Sequence, residues 1–272
     1  MRRIFTLCIV AMFAVNSAYG WGRREHAVVA KIAENHLTPK AKQCLYEYMH
    51  RRSLVYYASY ADDYQPINID LGWQPSNDKR IVSFPHTFTV DDNCKPIEGL
   101  RQGDKYVKNC IHFIEQWAGE LKSNHAKMND SVRMTHIAMI VHAMGDMHCP
   151  VRVRYPNDDT LCRYNVKYGK KPRSLFQLWD SGFVAATSSI ASYNDFARYI
   201  DICSAEEIAE ICKGGLYDWG EQVARAAIPM RRYKVDEVID PVQFKRDNLE
   251  KGEELLRNAG YRLAKLLNEM FE

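Results

Sequence analysis

Residues 131–150 read SVRMTHIAMIVHAMGDMHCP. Met134, Ile137, Ala138, Ile140, Val141 and Met144 recur at three- and four-residue spacing and surround most of a helical cylinder instead of lining one side of it. A helix over 131–148 with this pattern keeps no face for water and belongs at the centre of a bundle. Into that apolar cylinder the chain sets His142 and Asp146, four residues apart and so roughly 40° apart on one face. A buried imidazole and carboxylate must be satisfied where they stand. They can hydrogen-bond to each other, as i,i+4 polar pairs do, or together grip a divalent cation whose charge replaces the lost hydration.

Working outward, the same apolar spacing predicts helices over 23–36, 38–50, 54–64, 104–124, 174–186, 193–202, 204–228 and 241–271. Segment 65–103 carries Pro66, Gly72, Pro75, Pro85, Pro96 and Gly99, which predicts a long ordered loop with at most a short hairpin. Segment 149–173, with Pro150, Pro156, Gly169 and Pro172, is expected to be irregular. Both hold aromatics and cysteines that need a core to pack on, so neither is a linker. The expected fold is all-α, a single-domain helical bundle with long ordered loops.

With 272 residues, 46% apolar and 26% charged, the chain fits one compact domain and is neither disordered nor a small disulfide knot. Its formal net charge of +3 is too small to argue for a nucleic-acid partner, which must be argued from a site. Arg2 and Arg3 precede an apolar run from Ile4 to Val15, shorter than the ~20 residues of a spanning helix, and Ala18 and Gly20 follow as small residues. Residues 1–20 are therefore expected to be a signal peptide cut before Trp21, leaving a domain over 21–272. No later stretch is apolar enough to cross a membrane, so the expected product is secreted or periplasmic, without a stable membrane anchor, and a monomer. Cys8 leaves with the signal. Of the seven cysteines that remain, Cys94 with Cys110 and Cys203 with Cys212 are plausible local bridges. The sequon at Asn129 occurs once and carries little weight.

Cleavage at Gly20 would also create chemistry. The freed amino group of Trp21 and its carbonyl can close a five-membered chelate on a metal, with His26 as a further donor from the first helix. The bland alternative is an ordinary aromatic and a core or surface histidine. Trp21-Gly22 with His26, Ser59-Tyr60-Ala61-Asp62-Asp63-Tyr64, Phe84-Pro85-His86, the stretch from Val141 to Pro150, Leu178-Trp179-Asp180 and the closing Ala259-Gly260-Tyr261-Arg262-Leu263-Ala264 fall in one order. In that order and spacing the chain resembles the secreted zinc-dependent single-strand nucleases of fungi and plants, whose all-helical fold is shared with bacterial zinc phospholipase C. The resemblance implies hydrolysis of phosphodiester bonds in RNA and single-stranded DNA, and of nucleotide 3′-phosphates, at three zinc ions. By the same resemblance Asp62, His86, His142 and Asp146 hold one zinc, while Trp21, His26 and the second oxygen of Asp146 hold its neighbour. Asp62 and Asp146 would be the catalytic carboxylates.

The third zinc of that family is not expected here. Arg152 and Phe176 stand where the family has histidines, and only Asp180 remains. Arginine stays protonated and offers no lone pair, so two zinc ions are expected. Gln65, Thr89 and Thr160-Leu161-Cys162 also depart from the family's pattern and put substrate handling in question. Arg152 paired with Asp180 would keep a positive charge beside the phosphate and make both residues substrate-binding; drift to a surface arginine is the alternative. Cys149 returns to the His142 face as a soft ligand or a buried small residue, and His148 reads as a packing or exposed side chain. His36, His50, His112, His125 and His136 stay unassigned. Arg152, Arg154, Arg163, Lys167, Lys170, Lys171 and Arg173 crowd one tyrosine-rich segment, where they would attract phosphates while Tyr155, Tyr164 and Tyr168 stack bases, unless the segment is a solvated loop. The expected activity is that of a secreted zinc-dependent phosphodiesterase acting on single-stranded nucleic acid or nucleotides. A weakly active or inactive metal-stabilised binding protein is the rival, and a lipid phosphodiesterase fits the fold but no exposed apolar stretch.

Overall fold

The computed structural model describes residues 21–63, 86–102, 105–156, 162–180, 190 and 192–272, with the backbone alone at 63, 99–102, 105–108 and 180. The proposed signal peptide, Tyr64, Gln65, Phe84-Pro85, Thr160 and Leu161 lie outside the described residues, as does the side chain of Asp180. The expectation of a mostly helical domain holds. Its helices are α1 (Arg23–Asn35), α2 (Pro39–Tyr48), α3 (Leu54–Tyr57), α4 (Tyr60–Asp63), α5 (Cys110–Asn124), α6 (Asp130–Met147), α7 (Leu175–Asp180), α8 (Tyr193–Ile200), α9 (Ala205–Ile211), α10 (Leu216–Ala227) and α11 (Pro241–Phe271).

Helix α6 is the axis. It is buried without a break from Thr135 to Met147, as its unbroken apolar pattern requires. Asn129 starts it by accepting from the amides of Ser131 and Val132. It ends where Pro150 cannot continue a helix, and the chain passes into a 3-10 turn over Pro150–Arg152. Around it pack α1, α3, α4, α5 and the long α11, which Asp240 caps and Pro241 opens. Where α11 crosses α1, a Cβ on Gly260 would sit 2.6 Å from Cβ of Ile32, so glycine sets how closely these helices approach.

Small strands fasten the loops to this bundle. Strand β1 (Phe88–Thr89) pairs in parallel with β4 (Val153–Arg154), Phe88 opposite Val153. β2 (Gly99–Gln102) and β3 (Lys105–Lys108) form an antiparallel hairpin. A second hairpin joins β5 (Asn165–Tyr168) to β6 (Lys171–Ser174), and β7 (Val238–Ile239) adds to β5 in parallel.

Three helical expectations are corrected. The helix expected from residue 104 begins at Cys110, because Asn109 caps it through the His112 amide and 105–108 pairs as a strand. The helix expected over 204–228 breaks at Gly214, which turns the chain at φ +78° between the end of α9 and the start of α10. The helix expected over 54–64 divides at Ala58, with consequences at the site. The cysteine pairings are also corrected, since Cys94, Cys110, Cys203 and Cys212 are all free thiols. Helix α9 stands between Cys203 and Cys212, and its rise of about 10 Å separates them beyond the ~7 Å that a disulfide tolerates between Cα atoms.

Gly260→Val should lower unfolding stability by about 1–3 kcal/mol, because Cβ of Ile32 cannot swing aside as the end of a flexible side chain would. Chemical denaturation of the two proteins measures the difference.

Candidate metal centre

Four separate segments deliver side chains to one buried point. α6 contributes His142 and Asp146, both fully buried, and α1 contributes His26. The β1–β4 pairing carries His86, two residues before Phe88, to the same end of the register as Arg152, one residue before Val153. Asp62 comes from α4, beyond the break at Ala58. There the Asp62 amide donates to the Ser59 carbonyl, and the Ala58 carbonyl instead accepts from Nδ1 of His142 at 2.9 Å. That bond fixes the tautomer: Nδ1 carries the proton and Nε2 presents its lone pair.

Nε2 of His142 lies 3.2 Å from Oδ2 of Asp146, 3.2 Å from Nδ1 of His86 and 3.7 Å from Oδ1 of Asp62. Nδ1 of His86 also contacts Oδ2 of Asp146. These four nitrogen and oxygen atoms converge in a buried pocket, where positive charge, from a shared proton or a bound cation, offsets their mutual repulsion. On the other side of the carboxylate, Oδ1 of Asp146 lies 3.5 Å from Nε2 of His26, whose ring stacks on His142 with centroids 4.1 Å apart. Neither ring nitrogen of His26 makes a hydrogen bond, although the residue is 1% exposed. The donors form two groups, His26 with His142 and Asp146, and Asp62 with His86 and His142, the atoms of each lying within 4.8 Å of one another. Orphaned imidazole nitrogens, a shared carboxylate and a tautomer locked from behind are what divalent zinc needs, so these residues fit it.

Protonation agrees. Burial, with the nearby His142 second, pushes His26 down to about 4, and burial likewise pushes His86 to about 4. Both rings are neutral, with ligand lone pairs, at neutral pH. Burial also acts against a charged His142, but Asp146 and Asp62 outweigh it and raise its pKa. For Asp146 burial favours the neutral acid, and Arg152, His142 and His86 reverse this, holding it well below the usual carboxylate range.

Every proposed ligand whose side chain is described joins this cluster except Trp21, whose ring is buried edge-on to Trp179 with centroids 6.1 Å apart. Trp21 lies next to the first turn of α1, where the His26 amide donates to the Gly22 carbonyl. Arg152 is buried, not surface drift. Its Nε lies 3.6 Å from Oδ1 of Asp146, and its guanidinium sits over the Phe176 ring at 5.0 Å. Cys149 is buried and belongs to neither donor group. His148 is fully buried, donating from Nδ1 to the Met144 carbonyl and accepting from Arg262 at Nε2. Sequence reasoning passed over Gly145, whose absent Cβ would fall 2.6 Å from Nδ1 of His26. A glycine inside a buried helix, one residue from the shared carboxylate, was the available signal.

The chain is similar to known nucleases. A family model described as S1/P1 Nuclease matches residues 21–272. Endonuclease 2 of Arabidopsis thaliana is 20% identical over 217 residues, 79% of this chain and 70% of that protein. Endonuclease 4 of the same plant is 19% identical over 182 residues, 66% of this chain and 61% of that protein.

Two measurements follow. Gly145→Ala, a change that favours helix, should nevertheless push the His26 ring aside and weaken metal binding about 10–100-fold. Titration calorimetry with zinc, alongside unchanged circular dichroism, tests this. The metal-free protein should melt at progressively lower temperature as pH falls from 6.5 to 4. Over that interval the unfolded chain takes up protons that buried His26 and His86 refuse, and this outweighs the opposite contribution of His142.

Proposed function

The chain belongs to the S1/P1 nuclease family, and on that premise we propose that it is an exported zinc-dependent hydrolase of phosphodiester bonds in single-stranded nucleic acid or nucleotides. The observation that carries the reading is the convergence of His26, Asp62, His86, His142 and Asp146 on a buried point that favours positive charge. Asp62, His86, His142 and Oδ2 of Asp146 would hold one ion; His26, Oδ1 of Asp146 and the amino and carbonyl groups of a processed Trp21 would hold the second. Bound there, two divalent ions acidify water and neutralise the charge that builds on a reacting phosphate.

The residues have distinct tasks. Asp146 is the shared carboxylate, whose charged form Arg152, His142 and His86 favour. Asp62, carried on the separate short helix α4, orients the attacking water. Arg152 supplies a permanent positive charge beside Asp146, and its planar donors suit phosphate oxygens. Export rests on Trp21: the family model's match begins at this residue, its ring is buried against Trp179, and no described helix is long and apolar enough to cross a membrane.

A second reading, a metal-stabilised binding protein with little activity, is favoured by the packing of Arg152 on Phe176. Those two side chains stack on each other at positions where the resembled nucleases carry zinc ligands, so no third ion is held in that way. Hydrolysis of single-stranded DNA and of bis-p-nitrophenyl phosphate with added zinc separates the two: a nuclease cleaves both and stops when metal is chelated, whereas a binding protein cleaves neither. Asp62→Asn and Asp146→Ala should each lower turnover about 10²–10³-fold or more, the scale on which removal of a group that stabilises transition-state charge is felt. Full turnover in either variant contradicts the mechanism. One additional residue before Trp21 should block the amine and remove about one zinc ion per chain, as counted by elemental analysis.

A further inference from the structure

The basic segment after α6 is not a loose loop. Lys167, Lys170, Lys171 and Arg173 ride on the β5–β6 hairpin, whose register sets Lys167 opposite Pro172 and Val166 opposite Arg173. All four are exposed, and none makes an ion pair with a described residue. Acidic residues do lie nearby on the β7 side: Asp236, whose amide donates to the Asn165 carbonyl, and Glu237 and Asp240, whose carboxylates face backbone amides. Glu237 accepts from the Lys234 amide, and Asp240 caps α11 through Val242 and Gln243. The hairpin thus concentrates positive charge that no ion pair with a described residue offsets, in a chain whose formal net charge is only +3.

A line of cations leads from this hairpin inward. The Arg163 guanidinium lies 5.0 Å from the centroid of the Phe176 ring, and Arg152 lies 5.0 Å from the same ring. Arg163 is exposed and Arg152 is buried against Asp146. One aromatic ring therefore connects a surface cation to the cation at the metal centre. The amides of Phe176 and Leu175 donate to the carbonyls of Cys162 and Tyr164, which ties the residues flanking Arg163 to the start of α7.

We propose that the β5–β6 hairpin and the Arg163–Phe176–Arg152 stack form the track along which a single-stranded nucleic acid approaches the Asp146 cluster. The proposal rests on the nuclease reading for its occupant and extends it by placing the strand beyond the cleaved bond. The contact is electrostatic and independent of base. The tyrosines expected to stack bases are turned inward: Tyr155 donates to the Ala224 carbonyl, Tyr164 to that of Tyr233, and Tyr168 packs edge-on against Phe244. Phosphates on the hairpin would add affinity for polymers that a mononucleotide-sized substrate does not gain.

The test uses the zinc-loaded chain and the triple variant Lys167→Glu/Lys171→Glu/Arg173→Glu, all exposed positions outside the catalytic cluster. Fluorescence anisotropy with a phosphorothioate dT oligomer should show affinity reduced about tenfold or more. The slope of log affinity against log salt should become shallower by about 2, from ~0.7 per lost phosphate contact at three positions. Turnover of bis-p-nitrophenyl phosphate and the melting temperature should be unchanged. Unaltered oligomer affinity and salt slope in a folded variant overturn the track while leaving the nuclease reading intact. If the wild-type chain cleaves nothing yet oligomer binding still depends on the three cations, the track stands and the nuclease reading falls. Binding of anionic lipid vesicles through these residues, with no effect on the oligomer, overturns the track.

Discussion

Asp146 is a carboxylate with no exposure to water, placed on a helix buried from Thr135 to Met147, and much of the surrounding structure serves to keep it charged. A lone carboxylate in such a place would take up a proton. Here His142, His86, His26 and Arg152 surround it, and two of the three imidazoles are themselves too buried to carry charge at neutral pH. Positive charge is thus in demand on the Oδ2 side, where lone pairs of His142 and His86 crowd together, and is permanently supplied on the Oδ1 side by Arg152. A divalent ion would answer the first demand.

The scaffold explains how the donors stay in place. The break between α3 and α4 releases the Ala58 carbonyl from helical bonding and turns it onto His142. Two residues of parallel pairing bring His86 and Arg152 to the same end of a ladder, although they are far apart in sequence. A missing side chain at Gly145 gives the His26 ring room to stack on His142. Each device is small, and each acts on the orientation of a ring whose lone pair must face inward.

Much of this was legible in the sequence because it follows from periodicity. The all-apolar circumference of 131–148 announced a central helix, and the four-residue interval between His142 and Asp146 placed both on one face. The position of Arg152 was less legible. The sequence left it open between a place beside Asp180 and the surface, because contact with Asp146 and the shared Phe176 ring depend on a strand pairing that spacing does not reveal. The breaks at Ala58 and Gly214 were missed because apolar spacing continues through them, while a carbonyl redirected to a distant histidine and a positive φ decide the geometry. The tyrosines of the basic segment looked available as a row of letters; the hydroxyls of Tyr155 and Tyr164 proved to have backbone partners, and the Tyr168 ring packs on Phe244. The pairing of Cys203 with Cys212 failed for a simpler reason, since these neighbours in sequence are held apart by α9.

Helices, caps and glycines all converge on one assertion, that the Asp146 cavity is built around two cations besides Arg152. X-ray anomalous scattering at the zinc edge, from crystals of the chain beginning at Trp21, addresses it directly. The account requires two peaks, one among Asp62, His86, His142 and Asp146 and the other among His26, Asp146 and the Trp21 terminus. No peak at either place, with zinc in the crystallisation medium and the side chains ordered as described, would contradict it.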